Sequence, residues 1–172
     1  EPAPQSSYGA QKAVCELLVH DYARKGFVDG RSLRLPTVTV RPGKPNKAAS
    51  SFASGIIREP LNGVDGVVPV GPDTRMWVIS PRGVIDSLLI GHEVDGKAFG
   101  SFRAVSVPGM QVRVGDMADA LRRVAGPEVA ARVKWQFEPR IDRIVCTWPS
   151  NFDCRKGLAL GMKAGTSFDD NI

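Results

Sequence analysis

The chain has 172 residues, 42% hydrophobic and 24% charged, the proportions of an ordinary globular protein. No apolar run approaches the 18 or more residues of a membrane span, and Glu1-Pro2-Ala3-Pro4 lacks the basic-then-apolar order of a signal peptide. The formal charge is +5, but the 23 Lys and Arg are scattered, with no stripe interleaved with aromatics, which argues against a nucleic-acid partner.

In chain order, Ser6 or Ser7 caps a helix whose apolar residues Ala10, Ala13, Val14, Leu17, Leu18 and Tyr22 recur at helical spacing and predict its buried face. Gly26 ends it after Arg24-Lys25. Residues 33–40 are apolar and β-branched, as in a buried parallel strand, although Pro36 interrupts the ladder. A loop over 41–46 leads to a short helix over 47–58, expected to stop before Pro60.

Residues 67–70 and 75–79 read as strands, and Ser80-Pro81 is a strong helix start, with a capping Ser and Pro at N1. Strands over 102–107 and 111–114 flank a turn at Pro108-Gly109, and Asp116 is expected to cap a helix ending at Gly126-Pro127. Beyond Glu128 the pattern weakens, and Trp135, Phe137, Ile141, Ile144 and Trp148 are expected to pack a mixed unit. Cys15, Cys146 and Cys154 are odd in number, with no C-x-x-C and no nearby His, so neither a zinc site nor a disulfide framework is expected. A reducing, cytoplasmic compartment fits them better. Cys15 falls on the apolar side of the first helix, where burial is the default.

Tyr8 and Lys12 carry the most pointed chemistry. Residues four apart on a helix share a face, with Cβ atoms about 5–6 Å apart, so the ammonium can stabilise a phenolate. A free tyrosine titrates near ~10 and is a poor base at neutral pH, whereas a cation about 4 Å away is worth roughly 4 kcal/mol at an effective dielectric of ~20. The pair is thereby suited to general acid/base work. By itself Y-x-x-x-K is also compatible with a half-buried tyrosine beside a solvated lysine.

The context of this pair, Tyr8-Gly9-x-x-Lys12 on an amphipathic helix followed by Ser32-Leu33-Arg34-Leu35-Pro36-Thr37-Val38, resembles the extended short-chain dehydrogenase/reductase superfamily, which includes the NAD-dependent epimerases and dehydratases. Phe52-Ala53-Ser54-Gly55-Ile56-Ile57-Arg58-Glu59-Pro60-Leu61 is similar to its sugar-acid branch, and Trp77, Ser80-Pro81-Arg82 and residues 158–168 extend the likeness along nearly the whole chain. The resemblance implies an α/β fold: the C-terminal portion of a Rossmann-type doubly wound parallel sheet plus a small α+β substrate-binding domain. Residues 1–45 would form the last part of the NAD-binding domain, and 46–172 mainly the substrate-binding domain, with Rossmann elements returning within it.

No Gly-rich strand–turn–helix for a pyrophosphate occurs, and the Ser or Thr that the family places upstream of the Tyr is absent. The chain therefore reads as the C-terminal half of a longer enzyme and is expected to be inactive alone.

The resemblance implies that Tyr8 is the base that takes a substrate hydroxyl proton as hydride leaves for NAD. Lys12 would assist it and hold the nicotinamide ribose, while Leu35, Pro36 and Thr37 would line the nicotinamide. A sugar-acid substrate needs hydroxyl partners and a carboxylate clamp, for which Asn46, Ser50 and Arg58 are candidates. Arg75, Lys44 and Lys47 are further cations that the sequence does not rank. Ser80-Pro81-Arg82 is an anion-compatible helix start, though a simple cap is the better account of it.

The implied activity is NAD-dependent oxidation of a secondary hydroxyl, at C2, of a small sugar acid such as D-erythronate. The alternatives are a sugar-nucleotide epimerase or dehydratase, and a non-catalytic member that senses dinucleotide; the retained Tyr8 and Lys12 argue against the last. The expected partner is the small-molecule substrate, with no membrane or metal, and a homodimer is implied by resemblance alone.

Overall fold

The computed structural model describes residues 3–46 and 48–172, so the candidate cation Lys47 lies outside the described residues. The first helix, α1 (Ser7–Arg24), forms as expected: Ser6 Oγ accepts the Gly9 N–H at 3.1 Å, and Gly26 follows the C-cap at φ +78°. Its packing is the reverse of the expectation. Val14, Leu17, Leu18 and Tyr22 are 52–57% exposed, and Cys15 is exposed with them. The packed face instead carries Ala23, the one buried residue of the helix, with Glu16 reaching Arg34, His20 edge-on to Phe102 at 5.1 Å, and Val19 against Gly30. At Gly30 a Cβ would come within 2.8 Å of Val19, so glycine permits that approach.

The strand predicted over 33–40 is two strands. β1 (Ser32–Arg34) and β2 (Thr37–Val38) are separated at Leu35-Pro36, and each pairs in a different sheet. Proline lacks the N–H that a continuous ladder would need, and Pro36 marks the switch. β1 pairs in parallel with β5 (Ala104–Ser106), Leu33 opposite Val105. β2 pairs in parallel with β4 (Arg75–Ile79), which pairs antiparallel with β6 (Met110–Arg113). A third small sheet joins β3 (Gly66–Val68) in parallel to β7 (Val133–Trp135). The strands expected over 102–107 and 111–114 form as β5 and β6, and each finds its partner in a different sheet.

The helix predicted over 47–58 is α2 (Phe52–Leu61), with Pro60 inside its last turn. α3 (Pro81–Glu93) starts as predicted, Ser80 Oγ accepting the Gly83 N–H at 3.0 Å. α4 (Val114–Ala125) has Arg113, not Asp116, at its N-cap; Asp116 stands in the first turn, ion-paired to Arg113 at 2.7 Å. Short helices α5 (Pro127–Ala130), α6 (Pro139–Val145) and α7 (Arg155–Ala159) follow. Of the late aromatic and aliphatic residues, Ile141 and Trp148 pack on the main core, while Trp135, Phe137 and Ile144 are exposed.

Two apolar cores hold these elements. The larger gathers Ile56 and Ile57 of α2, Val68 of β3, Met76 and Val78 of β4, and Met117 and Leu121 of α4. The smaller joins Ile79, Phe99, Val105, Val107 and Met162, with Leu33 and Ile90 against it. Leu33 packs on α3 at Gly91, and its neighbour Arg34 turns to α1. A strand's alternation thus places one helix on each face of β1. Among the described residues no helix is long and apolar enough to cross a membrane.

Candidate active site

Tyr8, in the first turn of α1, is 69% exposed, and the Lys12 ammonium lies 5.5 Å from the centre of its ring. The two side chains share one face, as their spacing requires. Among the described residues Lys12 forms no ion pair, which leaves its donors open. Eight residues and about 12 Å along the helix, Glu16 occupies the same face and grips Arg34, the last residue of β1. Val19 meets Gly30 while Glu16 meets Arg34, so α1 and β1 run antiparallel, and the start of α1 extends toward and past the C-terminal end of β1. Ligands of open α/β sheets bind beyond the strands' C-terminal ends.

Behind Arg34, Lys156 donates to the carbonyls of Phe102 and Ala104 at 2.6 and 3.1 Å. Burial lowers its pKa, and the Arg34 charge adds to the effect.

Immediately after β1 comes the predicted nicotinamide-lining segment. Leu35, Pro36 and Thr37 form one side of a cleft of about 210 Å³. The opposite side is Arg75 and Trp77 of β4, with Trp148 and Phe152 from the segment after α6. Trp77 and Phe152 face each other at 6.1 Å, and Gln111 Nε2 donates to Ser150 O at 2.9 Å, fixing that segment beside β4. From the sequence, Arg75 is one unranked cation among several and Trp148 a packing residue; Phe152 carries no signal there, because the fold alone brings it to Trp77.

The other predicted substrate residues lie elsewhere. Asn46 is exposed in its loop, its Oδ1 accepting from the Ala48 N–H at 2.9 Å and its own N–H donating to Ser51 Oγ. It borders a separate cleft of about 580 Å³ shared with Glu59, Asp65 and Glu138. Arg58 donates to Arg41 O at 2.8 Å and pairs with Glu59 at 2.5 Å, its side chain only 13% exposed. Those bonds tie the 41–46 loop to α2, as do Thr39 Oγ1 to Ala53 O and Arg41 N–H to Ser54 Oγ. Neither Arg58 nor the Tyr8–Lys12 pair borders the clefts at Leu35–Thr37 and Asn46. A larger cleft of about 760 Å³ runs between the start of α3, at Ser80 to Gly83, and residues 163–171. It contains none of the predicted catalytic groups. Among the described residues no three His, Cys, Asp or Glu side chains converge as a metal site would need.

No protein-family model matches the chain. It is 56% identical over 169 residues to the D-erythronate dehydrogenase of Cupriavidus necator, covering 98% of this chain and 52% of that protein. Against the D-erythronate dehydrogenase of Haemophilus influenzae the identity is 46%, covering 98% and 54%. Among solved structures, the nucleoside-diphosphate-sugar epimerase of Agrobacterium tumefaciens superposes with a TM-score of 0.92 at 43% identity, covering 98% of this chain and 49% of that one. The chain spans about half the length of the curated relatives it matches. Sequence likeness and superposition run along the same residues that carry the Tyr8–Lys12 helix and the parallel β1–β5 pair, and the chain belongs to the extended short-chain dehydrogenase/reductase superfamily.

Proposed function

We propose that this chain is the C-terminal half of an NAD-dependent dehydrogenase that oxidises the C2 hydroxyl of a small sugar acid, D-erythronate being the first candidate. The observation that carries the reading is the Tyr8–Lys12 pair, exposed on one face of α1 and set toward the C-terminal end of β1. Tyr8 Oη takes the substrate hydroxyl proton, and the Lys12 ammonium stabilises the phenolate that precedes this transfer. The open donors of Lys12 suit the hydroxyls of a ribose. A nicotinamide dinucleotide, when bound, supplies the hydride acceptor. Leu35, Pro36 and Thr37 present an apolar flank to a flat ring; Asn46, on a separate cleft, is the weaker candidate for a hydroxyl partner. Arg58 keeps unused N–H donors, though its place against Glu59 and Arg41 suits it better to holding that loop.

Residues 1–45 belong in this reading to the cofactor domain and 46–172 mainly to the substrate domain. The pairing of β5 with β1 supports a return of the chain to the first sheet. The exposed stripe of Val14, Leu17, Leu18 and Tyr22 supports a homodimer through α1. Three free cysteines support a cytoplasmic location. The sugar-nucleotide alternative draws on the name of the Agrobacterium relative, whereas two curated relatives, at 56% and 46% identity, carry the sugar-acid name.

The test is NADH formation by the intact protein with NAD⁺ and D-erythronate, compared with UDP-glucose. Steady oxidation of the acid is expected. No reaction with D-erythronate or related four-carbon acids, together with turnover of the sugar nucleotide, would replace this reading with the epimerase one.

A further inference from the structure

Among the described residues, the cleft next to Leu35–Thr37 is lined by one cation, Arg75. Arg75 and Trp77 stand two residues apart on β4, hence on the same face, while Met76 and Val78 between and beyond them are buried in the main core. Across the ladder Arg75 is opposite Arg113, and the local carboxylates go to Arg113: Asp73 at 3.2 Å and Asp116 at 2.7 Å. Among the described residues Arg75 has no ion pair and no side-chain hydrogen bond, and it is exposed. The rest of the lining is largely apolar and aromatic, with Trp77, Trp148 and Phe152 facing Leu35 and Pro36.

We infer that Arg75 is the residue that recognises the substrate carboxylate, and that the aromatic wall of Trp77, Trp148 and Phe152 limits the substrate to a short carbon chain. The inference rests on the dehydrogenase reading above and names the specificity determinant of that site. A guanidinium offers two parallel N–H donors to a carboxylate, a match that an ammonium cannot reproduce. An unmatched guanidinium beside apolar walls is more weakly solvated than one in open water and gains more from an anion. The geometry also discriminates. One guanidinium matches one carboxylate better than a diphosphate carrying a nucleoside. Of the cations considered from sequence, Arg58 already serves Glu59 and the Arg41 carbonyl, and among the described residues Arg75 is the one that lines the cleft at Leu35–Thr37.

The experiment compares the intact enzyme with Arg75→Gln and Arg75→Lys. Its readouts are kcat and KM for D-erythronate, KM for erythritol (the same carbon chain without the carboxylate), and NAD⁺ affinity by calorimetry. Arg75→Gln is expected to raise the KM for the acid by about 10–100-fold, the range for a lost charge-assisted bond. NAD⁺ affinity and the weak oxidation of erythritol should stay within about two-fold, since neither involves the carboxylate. Arg75→Lys keeps the charge without the fork and should fall between. Thermal melts of both variants establish that they fold. Active wild-type enzyme with an unchanged acid KM in folded Arg75→Gln overturns the assignment and leaves the dehydrogenase reading standing. An equal loss for acid and polyol also overturns it, as does competition by UDP-glucose that Arg75→Gln abolishes. A wild-type enzyme inactive on all four-carbon acids removes the reading beneath it, and the inference with it.

Discussion

Glu16 holds Arg34 through both carboxylate oxygens: Oε2 accepts from Nε at 2.7 Å, and Oε1 pairs with Nη2. The helix that carries Tyr8 is thereby fastened to the end of β1, one residue before Leu35. The Glu16 side chain is 10% exposed, that of Arg34 45%. Donating these hydrogen bonds to the Glu16 carboxylate raises the guanidinium pKa of Arg34. Glu16→Gln should lower stability by about 1 kcal/mol, because solvent screens the Arg side of the pair. Turnover of the intact enzyme should fall further than stability suggests, since a shift of about 1 Å in a catalytic group can cost about 10²-fold. Denaturant titration and initial rates check both; unchanged turnover would detach this ion pair from the placement of Tyr8.

Tyr8→Phe removes only the hydroxyl. In the intact enzyme it should reduce kcat by about 10²–10⁴-fold, as loss of a general base does, with NAD⁺ affinity nearly unchanged. Lys12→Ala should weaken NAD⁺ binding as well as rate. A purely kinetic effect at Lys12, measured by calorimetric titration beside steady-state rates, would argue against its ribose contact.

Gly109 lies behind the aromatic cleft. A Cβ there would come within 2.7 Å of Val78 O, 2.8 Å of Pro36 Cγ and 2.9 Å of Trp77 Nε1. Backbone and ring atoms cannot give way cheaply, so Gly109→Ala should destabilise the fold by roughly 1–3 kcal/mol. It should also push Pro36 from Trp77 and raise the KM for the acid substrate. A variant with wild-type melting temperature and KM would show that the cleft tolerates the widening.

If the exposed stripe of α1 joins two copies, Leu17→Lys with Leu18→Lys should convert the intact protein from dimer to monomer. Both residues are more than half exposed in the single chain, so the monomer should keep its fold. Light scattering after size-exclusion chromatography reads the outcome, and a dimer that survives both charges places the interface elsewhere.

Asp153, beside Phe152, is fully exposed and takes hydrogen bonds from Arg155, which hold its carboxyl down to about 2 from the usual 3.8. The folded value lies below the unfolded one. The pair therefore stabilises the fold above about pH 3.8, and its contribution is lost as pH falls toward about 2. Asp153→Asn should melt slightly below wild type near neutral pH and coincide with it at the acid end of that window. Asp169, held down by Arg123 on α4, should behave in the same direction at the C-terminal turn.

Local signals in the chain were sufficient for local structure. Ser6 and Ser80 cap the helices they precede, and Tyr8 and Lys12 share a face because a helix of 3.6 residues per turn leaves no other arrangement. Periodicity misled where it met long-range partners. Val14, Leu17, Leu18 and Tyr22 have core-like spacing, yet the face that packs on β1 is the one with Ala23, Val19 and Glu16. An apolar stripe states that a surface is to be covered, not by what. Strand propensity over 102–107 and 111–114 is local and names no partner, whereas in the fold β5 and β6 pair with β1 and β4.

The α1 helix, its paired Tyr8 and Lys12, the break at Pro36 and the kinship with a dehydrogenase family are legible in the residues alone. Those follow from covalent and short-range constraints: a four-residue spacing, a missing N–H and a capping hydroxyl. Which cation stands against the cleft emerges only in three dimensions. The fold engages Arg58 with Glu59 and Arg41, leaves Arg75 without a carboxylate among the described residues, and carries Trp148 and Phe152 across more than seventy positions to the cleft beside Trp77. That choice depends on which charges are neutralised by neighbours distant in sequence, and such neighbours exist only once strands have paired and the core has closed.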